Sequence, residues 1–308
     1  KTLQRQANAS IAGAAGMATG GAALRVGGNI AEAGIQFQEQ MSKVYAVARL
    51  DKASDAAQRL KSQAQTLGST TSFSSRQVGE GQEYLVRAGY DEEQTVAAMP
   101  ATLDTAKAND MALKKASDVV SNIGSALGLQ AEETKRIGDV ITATTTRTNV
   151  DGRMLGETMK HVAPIADEVD ASLESLAAMS GMLGNVGIQG SQAGTALRAL
   201  YSRMASPPKK AKQALDELGV ATQNADGDMR NMLDILADVA KATTDMGSAD
   251  RLSAFTKIAG QEAGGAMAKL VEQQGEGAIS KLKTALENSD GEAARVAKKM
   301  GDNAAGDI

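Results

Sequence analysis

The sequence predicts an all-α fold: a string of short helices and helical hairpins in a bundle-like stack. Three observations predict it. Phe, Tyr and Trp number only 3, 4 and 0 in 308 residues, too few for the aromatic and β-branched strands of a sandwich or barrel. Ala and Gly together supply 88 residues, and Ala with Leu, Gln, Glu, Lys, Met and Arg, the strong helix formers, make up most of the chain. Apolar residues recur at helical spacing between explicit cap and stop signals. With so many small side chains, each burying little area, the composition predicts a thin core and helices held more by their neighbours than by an interior of their own.

The elements follow in order. Residues 1–36 form an Ala/Gly-rich helical lead in which Gly16 and Gly20 make a GxxxG pair, a spacing that lets two helix backbones approach closely. Its uninterrupted apolar run, Ile11 to Leu24, is 14 residues, shorter than the roughly 20 that span a bilayer. From Phe37 the helical period is clear in Met41, Val44 and Ala48, then in Leu60, Ala64 and Leu67, with Gly68 as a stop. Ser74 and Gln77 read as a capping box, with Phe73 poised over Val78 as a hydrophobic staple. That helix ends at Gly89; Asp91 with Gln94 starts the next, which Pro100 breaks or kinks.

Further stripes run through Leu113, Val120 and Ile123, and through Ile137, Val140 and Ile141. Asp151 caps a helix carrying Leu155, Met159 and Val162, which Pro164 interrupts. Leu173, Leu176 and Leu183 mark a short helix, and Leu197, Leu200, Tyr201 and Met204 another, stopped by Pro207 and Pro208. After Gly219, Asp226-Gly227 between short arms predicts a minimal β-hairpin near residues 220–230. Stripes resume at Leu233, Leu236 and Val239, at Leu252, Phe255 and Ile258, and at Leu270, Ile279, Leu282 and Leu286. The polar stretch from about Gly291 is expected to fray. The resulting division is a lead over 1–36, a helical core region over 37–240 and a helical extension over 241–308.

Composition also excludes chemistry. The chain has no Cys and one His, so disulfide scaffolds, thiolate zinc sites, cysteine nucleophiles and multi-histidine metal cages are out. The net charge is −4, with five basic and two acidic groups in residues 1–50, and no clustered basic stripe with stacking aromatics marks a nucleic-acid binder. His161, near Asp167 and Glu168, lacks the nucleophile and oxyanion site of a triad and reads as a surface or boundary residue. The glycine-rich segment Gly184 to Arg198 invites a phosphate-loop reading, yet Ala193-Gly194-Thr195 stands where Gly-Lys-Thr is required. Its glycines, Gly187, Gly190 and Gly194 among them, read instead as helix stop, tight turn and close-packing sites. Asn224, Asp226 and Asp228 mimic a calcium loop, but Met229 occupies the position that needs Gly. Glu92-Glu93 and Glu132-Glu133 sit in first turns, where they complement the helix dipole, and Lys209, Lys210 and Lys212 read as solvated. No catalytic, cofactor-binding or metal-ligating residue is assigned.

Several phrases together resemble the core region of the tail tape measure proteins of tailed bacteriophages: LGSTTSFS (Leu67 to Ser74), the Gly79 to Gly89 segment with LVRAGYDEEQ, Ala97 to Met111, Ala116 to Ile123 and, above all, MLGNVGIQGSQAGTALRAL (Met182 to Leu200) with Pro207, Pro208 and Leu215 to Val220. The similarity covers residues 37–240. It implies a virion protein made in the bacterial host cytoplasm, laid in the lumen of the tail tube, setting tail length and leaving ahead of the DNA at genome ejection. It also implies as partners copies of the chain, the tail tube protein, tail tip or baseplate hub proteins and tail assembly chaperones, and no sequence-specific nucleic acid. A ruler wants uninterrupted helix and this region is punctuated, so the ruler is expected elsewhere in a longer chain, of which a start at Lys1 would make this a piece. The competing reading is a membrane-active module in which residues 11–36 meet the host membrane and help form a DNA-delivery conduit; a third is an enzyme such as a muramidase.

Overall fold

The computed structural model describes residues 22–302. Fifteen α-helices and one short 3₁₀ turn account for the regular structure among the described residues. They are α1 (Ala22–Ala48), α2 (Asp55–Thr70), α3 (Ser75–Arg87), α4 (Glu92–Ala108), α5 (Leu113–Ala126), α6 (Thr134–Thr145), α7 (Gly152–Asp167), α8 (Leu173–Asn185), α9 (Gly190–Ala205), α10 (Lys209–Leu218), α11 (Met232–Ala242), α12 (Ser248–Ala259), α13 (Gly264–Gly275), α14 (Ala278–Glu287) and α15 (Glu292–Gly301). The chain divides into two compact units, one of residues up to Ser121 together with those from Ala294 onward, the other of Asn122–Ala293.

In the first unit α3 is the hub: α1, α2 and α4 all pack against it. Their stripes, Met41, Val44 and Tyr45 from α1, Leu60 and Ala64 from α2, Val78 and Leu85 from α3, and Met99 and Leu103 from α4, close into one core. In the second unit α8 plays that part, touching α6, α7, α9, α13 and α14. Nearly every residue of α8 is buried, which is why its sequence is apolar or small all round instead of amphipathic. Around it α7 lies against α9, α10 against α12, and α11 and α12 against α13.

Five local expectations are corrected. No β-hairpin forms near residues 220–230: the arms make a single antiparallel bridge, Gln223 to Met229. Asn224 organises the loop instead, its Oδ1 accepting from the N–H groups of Asp226 and Asp228 at 3.0 and 2.9 Å, and α11 begins at Met232 before a ladder can extend. Gly68 is no stop, since α2 runs on to Thr70; a Cβ there would lie 2.6 Å from Ser75 Cα, so the glycine serves the close approach of two successive helices. Pro164 does not interrupt α7, which continues to Asp167, and Pro100 likewise does not break α4, which continues to Ala108. A proline has no N–H for the carbonyl four residues earlier, and that carbonyl, on Val96, accepts from Gln63 Nε2 of α2 at 2.6 Å. Finally, the polar segment after Gly291 is helical to Gly301.

The interior is also fuller than the aromatic count predicts. Leu60, Leu85, Met99, Ile123, Ile137, Leu155, Met159, Leu176, Met179, Leu183 and Tyr201 are completely buried. Alanines interleaved among them bring helix axes close enough for these longer side chains to interdigitate.

Candidate functional site

The segment that carries the strongest resemblance, Met182 to Leu200, is the end of α8, a four-residue connection and most of α9. Its connection is made by the chain turning back on α8: the N–H groups of Val186 and Ile188 donate to Leu183 O at 3.1 and 3.0 Å, and that of Gly187 to Gly184 O at 3.0 Å. Gly187 (φ +83°) and Gly190 (φ +56°) adopt the left-handed backbone this reversal needs. A phosphate cradle presents free N–H groups; here those of residues 186–188 are spent on the helix end.

The connection is then tied to the turn between α6 and α7. Asn149 N donates to Asn185 Oδ1 at 2.8 Å, and Gln189 Nε2 donates to Asn149 O at 2.5 Å and to Gly184 O at 3.3 Å. Beyond it, α9 crosses α7 at Gly194. A Cβ on Gly194 would sit 2.6 Å from the Thr158 carbonyl oxygen and 2.8 Å from His161 Cβ, so the two backbones touch there. Thr158 Oγ1 adds a bond to Gly190 O at 2.9 Å. Leu197 and Tyr201 complete the buried face of α9, and burial pushes the Tyr201 phenol well above its usual range. After Ser206, Pro208 stands at the N-cap of α10, its carbonyl accepting from Lys212 N at 2.9 Å. Gly187, Gly190, Gly194, Leu197, Pro207 and Pro208 therefore all fall on the walls and ends of α9, in the second unit.

The other sequence-selected group lies in the first unit. Ser74 Oγ accepts from Gln77 N at 3.3 Å while Gln77 Oε1 accepts from Ser74 N at 2.9 Å, the reciprocal pattern of a capping box. Val78 is fully buried and Phe73 packs half-buried against the same core. Gly16 and Gly20 lie outside the described residues.

Glu92, Glu133 and Glu174 are engaged structurally. Glu92 receives a two-pronged contact from Arg59 at 2.7 and 2.6 Å. Glu174, buried on α8, receives the same from Arg136 of α6 at 2.8 and 2.9 Å, and this hydrogen bonding raises the guanidinium pKa further. Glu133 also pairs with Arg136. Among the described residues no group of three or more His, Cys, Asp or Glu is arranged to hold a metal ion. Sequence reasoning missed Asn149, Thr158, Asn185 and Gln189, whose partners are remote in the chain; Asn and Gln beside a glycine run were the only signal.

Residues 61–260 match the phage-related minor tail protein family. The chain is 33% identical over 275 residues to a protein named tape measure protein of Pneumococcus phage Dp-1, covering 89% of this chain and 24% of that protein. It is also 33% identical over 303 residues to the probable tape measure protein of Escherichia phage P2, covering 98% of this chain and 37% of that protein. The chain thus spans 24% and 37% of the length of these relatives. No solved structure matches it. With two thirds of its length matched, in the stretch that includes the α8–α9 connection and the α7–α9 crossing, this chain belongs to the phage-related minor tail protein family.

Proposed function

We propose that the chain is a structural, non-catalytic module of a phage tape measure protein. It acts in tail assembly and tail-length determination inside the tail tube and is released at genome ejection. The observation that carries this reading is the 33% identity, over 89% and 98% of the chain, to a protein named tape measure protein in one phage and a probable tape measure protein in another. The partners that go with it are other copies of the chain, the tube protein, tail tip or baseplate hub proteins and tail assembly chaperones.

The fold supports a division of labour within the longer protein. The longest described helix, α1, has 27 residues, about 40 Å at 1.5 Å per residue. Two bundles of short helices make an anchoring or docking head better than a ruler, so the length-setting helix belongs to the parts of the longer protein outside this module. The test is in-frame removal of residues 37–240 from a phage gene that encodes them, with tails counted and measured by electron microscopy. Loss of tails, or tails of altered length, is expected; tails normal in number and length would overturn the reading.

The membrane-active alternative centres on residues 11–36. No helix among the described residues is long and apolar enough to cross a membrane. Liposome flotation of a peptide spanning Ile11 to Gln36 tests it directly, and absence of binding removes it.

A further inference from the structure

α15 begins without a cap of its own. The residue before it is Gly291 (φ +76°), which has no side chain to accept from the unpaired N–H groups of a first helical turn. The acceptor comes from α6, some 150 residues earlier in the chain. Asp139 Oδ2 accepts from Gly291 N and Oδ1 from Ala293 N, both at 2.8 Å. The carboxylate is almost wholly buried, with 3% of its side chain exposed. It neutralises the positive end of the α15 dipole while making two charge-assisted bonds.

Two further contacts line up with it. Lys135, one turn before Asp139, holds its carboxylate at 3.2 Å and also pairs with Asp290. Arg147, two turns beyond Asp139, reaches Glu292 Oε1 at 3.0 Å. Positions 135 and 139 share one face of α6, Arg147 lies just past the C-terminal end of that helix, and all three engage the four-residue stretch from Asp290 to Ala293. Every one of these bonds lies inside the second unit.

We propose that this stripe is a latch: Asp139 serves as a remote helix cap, Lys135 and Arg147 as its flanking clamps, and the segment entering α15 can let go of α6 as a local event while the second unit stays folded. Such an opening breaks these hydrogen bonds and ion pairs and leaves the apolar hub around α8 intact. The latch holds the last residues of the second unit against α6 and supplies a release point there.

The test is amide hydrogen exchange on the full 308-residue chain, comparing the parent with Asp139→Asn. Asn keeps the shape but presents one acceptor and one donor, so one of the two N–H groups faces an NH₂. Exchange in peptides covering residues 289–294 is expected to accelerate at least about tenfold, with α8 amides unchanged; tenfold corresponds to about 1.4 kcal/mol of opening free energy. The outer clamp is tested by Arg147→Gln, whose parent side chain is 37% exposed; it is expected to give a smaller acceleration confined to the same peptides. Unchanged exchange at 289–294 in Asp139→Asn overturns the latch. So does acceleration shared equally by α8, in either variant, which would make these residues ordinary supports of the core.

Discussion

A methyl group on Gly194 would place a Cβ 2.6 Å from a backbone carbonyl oxygen on α7, where ordinary contact begins at 3.4 Å. Neither atom is the tip of a flexible side chain, so α7 and α9 must part by roughly 0.8 Å, a shift a close-packed interior resists. Overpacking of this kind costs about 1–3 kcal/mol, and the rigid backbone partner puts Gly194→Ala near the top of that range. Strain on the Thr158 to Gly190 bond adds about 1 kcal/mol. Against this, exchanging Gly for Ala inside a helix returns about 1 kcal/mol. The net loss is on the order of 2–3 kcal/mol, which for a unit of this size lowers Tm by roughly 4–12 °C. Gly265→Ala is the matched control: Gly265 is helical and exposed with nothing within 4 Å of a Cβ, so Tm should hold or rise. Thermal melts followed by circular dichroism at 222 nm make the comparison. If Gly194→Ala melts at or above the parent, the two backbones do not meet at this register and the account of the crossing fails.

Three more outcomes follow from the same geometry. Ser74→Ala removes half of the α3 capping box and should lower stability by about 1 kcal/mol, read as a urea midpoint shift that Ser74→Asp largely restores. Tyr201 binds its proton more tightly folded than unfolded because it is buried; its contribution is therefore complete below about pH 10, the unfolded value, and drains away as pH climbs beyond it. Urea midpoints between about pH 9 and 11 should fall less steeply in Tyr201→Phe; equal slopes would contradict the burial. Arg230 ties the 221–230 loop through Ala221 O at 2.6 Å and Asp238 at 2.7 Å, so Arg230→Ala should speed limited proteolysis within that loop while shifting Tm by less than about 2–4 °C, as expected for an exposed pair.

What the sequence reveals and what it hides divide along chain distance. Ser74-x-x-Gln77 and Asp91-x-x-Gln94 are local patterns, and both are capping boxes in the structure. The apolar stripes of α1 to α4 are equally local, and they face one core. Gly68 and Gly194 look alike in sequence to glycines that end helices, because a close backbone approach is a property of two segments and only one is visible at a time. Conversely, three helix ends turn through left-handed Arg49, Asp110 and Asp170 and give no glycine signal at all. Asp226-Gly227 carries a true turn tendency, overridden by Asn224 and by the helix that starts five residues later. Asp139 and Ala293 could not be paired from sequence, since nothing local to either one marks the other.

The bond from Gln63 to the Val96 carbonyl makes positions 63 and 100 a linked pair. While Pro100 is present, losing the glutamine amide strands a carbonyl inside a helix, whereas with an alanine at 100 the helix would close that bond itself and the glutamine would become dispensable. The order of change therefore matters: a lineage can shed the proline first and then let position 63 drift, but the reverse route passes through a damaged intermediate. Substitutions at these two positions in the phages that carry this module should be correlated, although the residues stand on different helices.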